Sequence, residues 1–82
     1  MLNTIILNIE EIYVPTKRRK ELDPQRVETV AEEVMEEAEG RPILVRRDKG
    51  RYVLVKGVHR LEAHKALGEE TIQVYIVGAS QH

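Results

Sequence analysis

The segment Val53-Leu54-Val55-Lys56-Gly57-Val58-His59-Arg60-Leu61-Glu62-Ala63-His64-Lys65-Ala66-Leu67-Gly68 constrains this chain more than any other. Its first residues read as a buried strand that breaks at Gly57 and turns directly into a short helix closed by Gly68. The junction also suits chemistry. A helix start offers unpaired N–H groups and the positive end of the peptide dipoles, and a glycine before it lets a ligand approach the backbone. His59 and Arg60, in the first helical turn, add charge-assisted donors, the guanidinium in a fork that fits phosphate oxygens. Spacing alone also admits a plain helix start with both side chains solvated.

The 82 residues make one domain, 1–82. A chain of that length buries roughly 60% of its unfolded surface, so one core and one site are expected. No apolar run approaches the ~20 residues of a membrane span, and the first residues lack the layout of a signal peptide, so a soluble, cytoplasmic protein is expected. Without cysteine, disulfides, thiolate metal sites and thiol redox chemistry are excluded. Thirteen basic and fourteen acidic residues argue against a general electrostatic grip on nucleic acid, and three tyrosines as the only aromatics give no stacking platform. The charge is nevertheless clustered, with Lys17–Lys20 basic and Glu32, Glu33, Glu36, Glu37 and Glu39 acidic.

Residues Thr4–Ile9 read as a first strand, followed by a turn and an extended segment ended by Pro15; the basic block then lies in a loop. Asp23 as N-cap, Pro24 at the first helical position and Leu22 stapling against Val27 start a helix that runs to about Glu39. Val27, Val30, Ala31, Val34, Met35 and Ala38 fall on one stripe, with Met35 as core filler. Gly40 and Pro42 stop it. Ile43–Arg47 and Arg51–Val55 bracket Asp48-Lys49-Gly50 as a hairpin with Gly50 at positive φ. After the helix that Gly68 closes, Thr71–Val77 is the last strand. The order β, α, β, β, α, β predicts an α+β fold, a small mixed sheet packed with helices.

No metal site is expected. His59 and His64 are five apart and point about 140° away from each other on a helix, and His82 is terminal. No serine or cysteine nucleophile stands near a histidine. Phosphate or nucleotide binding is better served: His59 and Arg60 at the helix start, Arg26 and Thr29 from the other helix, and Arg19 closing over the ligand from the loop. Glu33 and Glu62 are the carboxylates to consider as catalytic base or magnesium ligand, with His59 a further catalytic candidate; as ordinary residues, both glutamates would be solvated.

From Ile5 to Val77 the chain resembles the ParB/sulfiredoxin fold, the N-terminal domain of ParB partition proteins. Gly57-Val58-His59-Arg60 through Gly68, followed by Thr71-Ile72-Gln73-Val74, is similar to the ParB box, in which Gly-Glu-Arg-Arg opens a helix, and to the Gly-Gly-Cys-His-Arg motif of sulfiredoxins. Arg19-Lys20-Glu21-Leu22 resembles a ParB segment ahead of the first helix, and Arg26 and Thr29 fall where sulfiredoxins carry residues that touch ATP phosphates. The resemblance implies a nucleotide site lined by Arg26, Thr29, Gly57, His59 and Arg60, taking CTP, ATP or ADP with magnesium, in a ParB-like module for partition or nuclease-like DNA transactions whose DNA reading comes from a partner. Val58 stands where sulfiredoxins carry their catalytic cysteine, which excludes sulfinic-acid reduction. It also replaces the ParB glutamate. A free-serine kinase is similar in the same way, so a small-metabolite kinase is the alternative, beside a ligand-less interaction domain.

Overall fold

A computed structural model describes residues 4–37 and 41–78. Five strands, β1 (Thr4–Asn8), β2 (Ile12–Tyr13), β3 (Ile43–Asp48), β4 (Arg51–Lys56) and β5 (Thr71–Ile76), form one mixed sheet in the order β1-β5-β3-β4-β2. Three helices accompany them: α1 (Thr16–Arg19), α2 (Pro24–Glu36) and α3 (Val58–Ala66). β1 and β4 run antiparallel to β5 and β3, while β3–β5 and β2–β4 are parallel pairs. The expected α+β architecture is therefore present.

The sheet is strongly coiled, and the chain's own reach requires it. β1 and β2 are opposite edges, yet a single 3-10 turn, Ile9–Glu11, joins them. Four strand spacings laid flat would separate the edges by about 19 Å. The step from Asn8 to Ile12 spans at most about 14 Å. Coiling brings the edges together at that corner and closes the sheet around Leu7, Ile9, Ile12, Val14, Ile43, Val45, Leu54, Ile72 and Val74, with Val58 and Leu61 of α3 filling the concave side.

α2 forms an outer layer against α3 and buries no residue completely. Val27, Val30, Ala31 and Val34 are half-buried, whereas Met35 is 65% exposed and so is not core filler. Met35 lies about 80° round the helix from Val27, at the rim of the stripe. The helix stops at Glu36 and Glu37 is already extended, short of the Glu39 end expected; Ala38 and Gly40 lie outside the described residues. The basic block is a one-turn helix, α1, where a loop was expected.

β3 and β4 meet in a two-residue turn, Lys49–Gly50, with φ of 56° and 81°, so both central residues have the sign that a type I′ turn requires. Lysine is poorly suited to that position because its Cβ crowds the backbone. Lys49→Asn is expected to raise stability by about 0.5–1 kcal/mol and the melting temperature by roughly 3–6 °C, measured by thermal denaturation. At the other end of the hairpin the register slips between Leu44 and Val45, so β4 carries one extra residue, Val55, just before Gly57.

Candidate functional site

Gly57 is the N-cap of α3 at φ 112°, ψ 32°, and no side chain caps the helix start. A Cβ there would lie 2.7 Å from Ile43 Cγ2 and 3.0 Å from Ile43 Cβ. The junction is therefore pressed onto the first core residue of β3, and only glycine fits.

Two and three residues further on, His59 and Arg60 hold the two ends of α2. His59 Nε2 accepts the backbone N–H of Asp23 at 3.0 Å, which places its ring proton on Nδ1. Asp23 in turn caps α2 by accepting from Gln25 N at 3.1 Å. Arg60 donates through both terminal nitrogens to the Glu37 carboxylate, each at 3.1 Å, with the arginine side chain only 11% exposed. Three of its five N–H donors remain. Hydrogen bonds from Arg60 hold the Glu37 carboxyl below its ordinary 4.5; desolvation opposes this, and the charges of Arg60, Arg41 and His64 reinforce it.

A depressed carboxyl pKa stabilises the fold fully above the unfolded value and ceases to do so as pH falls through the folded value. The melting-temperature gap between wild type and Glu37→Gln is therefore expected to be present at neutral pH, to narrow below 4.5 and to close as the pH falls through the lowered folded value.

Between the helices and the β3–β4 end lies a cleft of about 580 Å³. Its floor is Ile43, Leu44, Val55 and Val58, and its rim carries Arg18, Arg26, Arg41, Lys56, His59 and Arg60 against the carboxylates Glu21 and Glu33. Arg18 pairs with Glu21 at 2.8 Å. Among the described residues no carboxylate pairs with Arg26, Arg41 or Lys56, and no cation pairs with Glu33. A rim with three cations unpaired among the described residues, over an apolar floor, suits an anionic ligand with a flat apolar part.

Of the residues singled out in the sequence, Arg26, Gly57, His59, Arg60 and Glu33 come together here. Thr29 lines an adjoining hollow shared by Arg26 and Glu33, and its hydroxyl donates to Gln25 O at 3.2 Å. Arg19 does not line the cleft; because the segment is helical, Arg18 points in and Arg19 points about 100° away. Glu62 faces the other side of α3, 3.2 Å from Lys65 Nζ, beside Leu22 and Val27. Sequence reasoning missed Arg18, Arg41, Lys56 and Glu37. Lys56, directly before Gly57, was the one with a readable signal. His64 points elsewhere, with Nδ1 3.0 Å from Glu69. No group of three or more metal-ligating side chains converges among the described residues, and no helix among them is long and apolar enough to cross a membrane.

Sulfiredoxin from Arabidopsis thaliana superposes on this chain with a TM-score of 0.81 at 30% identity, over 94% of this chain and 86% of that one. The C-terminally truncated chromosome-partitioning protein ParB from Caulobacter crescentus, complexed with CTP-γ-S, gives 0.76 at 23% identity over 96% of this chain and 46% of the ParB. A mutant free serine kinase in complex with AMP gives 0.76 at 18% identity, over 93% of this chain and 31% of the kinase. This chain thus spans most of the sulfiredoxin but less than half of the other two. No curated protein matches the sequence. The family described as the ParB N-terminal domain matches residues 2–82, nearly the whole length, and the chain belongs to that family within the ParB/sulfiredoxin superfamily.

Proposed function

We propose that residues 1–82 form a nucleotide-binding domain that holds its ligand's phosphates at the start of α3, serving a ParB-like process on DNA in the cytoplasm. The observation that carries the reading is the cleft itself: Arg26, Arg41 and Lys56 stand around Gly57 without a carboxylate partner among the described residues. His59 Nδ1–H and the remaining donors of Arg60 add to the first-turn N–H groups, and the apolar floor accepts a base or ribose face. Glu33 is the one carboxylate of the cleft without a cation partner among the described residues, which fits a magnesium ion brought in on the phosphates better than an ion held by protein ligands alone. Relatives of this fold complexed with CTP-γ-S and AMP support the ligand class. Val58 at the position of the sulfiredoxin cysteine removes reductase chemistry.

Glu33 favours a second reading, phosphoryl transfer to a small hydroxyl substrate. The carboxylate would take the hydroxyl proton as that oxygen attacks the terminal phosphorus, and the nucleotide would leave one phosphate shorter.

Calorimetric titration with CTP, ATP and ADP, with and without magnesium, tests both. Binding by at least one nucleotide is expected, weakened about tenfold in Arg26→Ala, which removes one charge-assisted contact. No binding in any condition overturns the proposal and leaves an interaction domain. Phosphoryl transfer to serine that is lost in Glu33→Gln, with nucleotide binding kept, would establish the second reading.

A further inference from the structure

The cleft occupies one end of the β3–β4 hairpin, and a second concentration of charge occupies the other. Residues 46–51, Arg-Arg-Asp-Lys-Gly-Arg, place four cations and one carboxylate on a single turn of a chain whose net charge is −1. Asp48 lies 3.3 Å from Arg46. Among the described residues no carboxylate pairs with Arg47, Lys49 or Arg51, and all three are exposed.

Among the described residues the topology leaves this tip as a two-stranded ribbon. β5 accompanies β3 only as far as Val45, and β2 meets β4 only at Tyr52 and Val53. Among the described residues, the two strands from Arg46 to Arg51 pair only with each other. Alternation puts Arg46 and Arg51 on one face and Arg47 on the other, so the ribbon is cationic on both faces. Two tyrosines hold the guanidiniums in place. Arg51 lies over the Tyr13 ring at 4.2 Å, and Arg47 lies over Tyr52 at 5.4 Å while donating to its hydroxyl at 3.1 Å. Each planar group is thereby oriented with N–H edges left over, which lowers the entropy lost on meeting phosphate.

We infer that this hairpin tip enters the major groove of duplex DNA and contacts its phosphates with Arg46, Arg47, Lys49 and Arg51. The B-form major groove is about 12 Å wide and admits a two-stranded ribbon. The A-form groove of RNA is too narrow for one. The inference stands apart from nucleotide binding, because the tip and the cleft lie at opposite ends of the same two strands.

Fluorescence anisotropy with a labelled DNA duplex of about 24 base pairs, over about 50–200 mM salt, tests it. Four phosphate contacts give an expected slope of log K against log salt of about −3.6, and Lys49→Asn is expected to reduce it by about one and weaken binding several-fold. That variant also relieves the backbone of the turn, so lost binding with raised stability cannot come from misfolding. Arg47→Ala/Arg51→Ala is expected to lose tenfold or more, and Lys17→Ala/Lys20→Ala to bind as wild type. The inference is overturned by absence of duplex binding at low salt, by hairpin variants that bind normally, or by equal affinity for an RNA duplex. Calorimetry with nucleotide on the same hairpin variants should be unchanged, which keeps the two proposals separable.

Discussion

Gly57→Ala is expected to lower stability by about 2–5 kcal/mol, of which about 1–2 kcal/mol is the cost of positive φ for a residue with a Cβ and about 1–3 kcal/mol is overpacking. The overpacking arises because the new methyl meets Ile43 Cγ2 at 2.7 Å, and Ile43 is 2% exposed and enclosed by the core. For a domain of this size the loss corresponds to a melting temperature roughly 10–25 °C lower. Gly50 is the internal comparison. Its φ is 81°, but a Cβ there meets nothing within 4 Å, so Gly50→Ala should lose only the backbone part, about 1–2 kcal/mol. Thermal denaturation of the two variants measures the difference, and equal losses would show that the approach of Gly57 to Ile43 is not tight. Because Ile43 also floors the cleft, a folded Gly57→Ala protein should bind nucleotide more weakly as well.

The order of elements was legible because each carries its own local chemistry. Asp23 and Pro24 start α2 as a cap and first helical residue should, and the period-two runs on either side of Lys49–Gly50 pair as a hairpin. The parallel pairing of Ile12–Tyr13 with β4 was not legible. Two residues have no period, and their partner lies some forty residues away. Met35 shows the same limit: the helical pattern located a stripe, but how far round it α3 reaches depends on packing. At the site, Gly57, His59 and Arg60 stood out because the junction is contiguous in sequence. Arg41 and Arg18 reach the cleft through the approach of distant elements, and choosing between Arg18 and Arg19 needed the helical phase of α1. Glu37, one of several glutamates on an acidic helix, acquires its role only by meeting Arg60, twenty-three residues further on.

That meeting leads to the strongest functional expectation. Arg60→Ala is expected to weaken nucleotide binding about a hundredfold, since a forked guanidinium at a helix start supplies paired charge-assisted hydrogen bonds and the site has little else as well oriented. Glu37→Gln should weaken it only several-fold. Glu37 acts through Arg60: its carboxylate takes two of the five N–H donors and fixes the guanidinium plane beside the cleft, whereas the amide keeps one acceptor and none of the charge. Titration of the same nucleotide into both variants, with Arg60→Lys as a third, separates orientation from charge. Lysine restores the charge without the fork, so it should recover only part of the lost affinity. Unchanged binding in Arg60→Ala would make the Arg60–Glu37 pair a structural tether between α3 and the end of α2, and phosphate recognition would then fall to Arg26, Arg41 and Lys56.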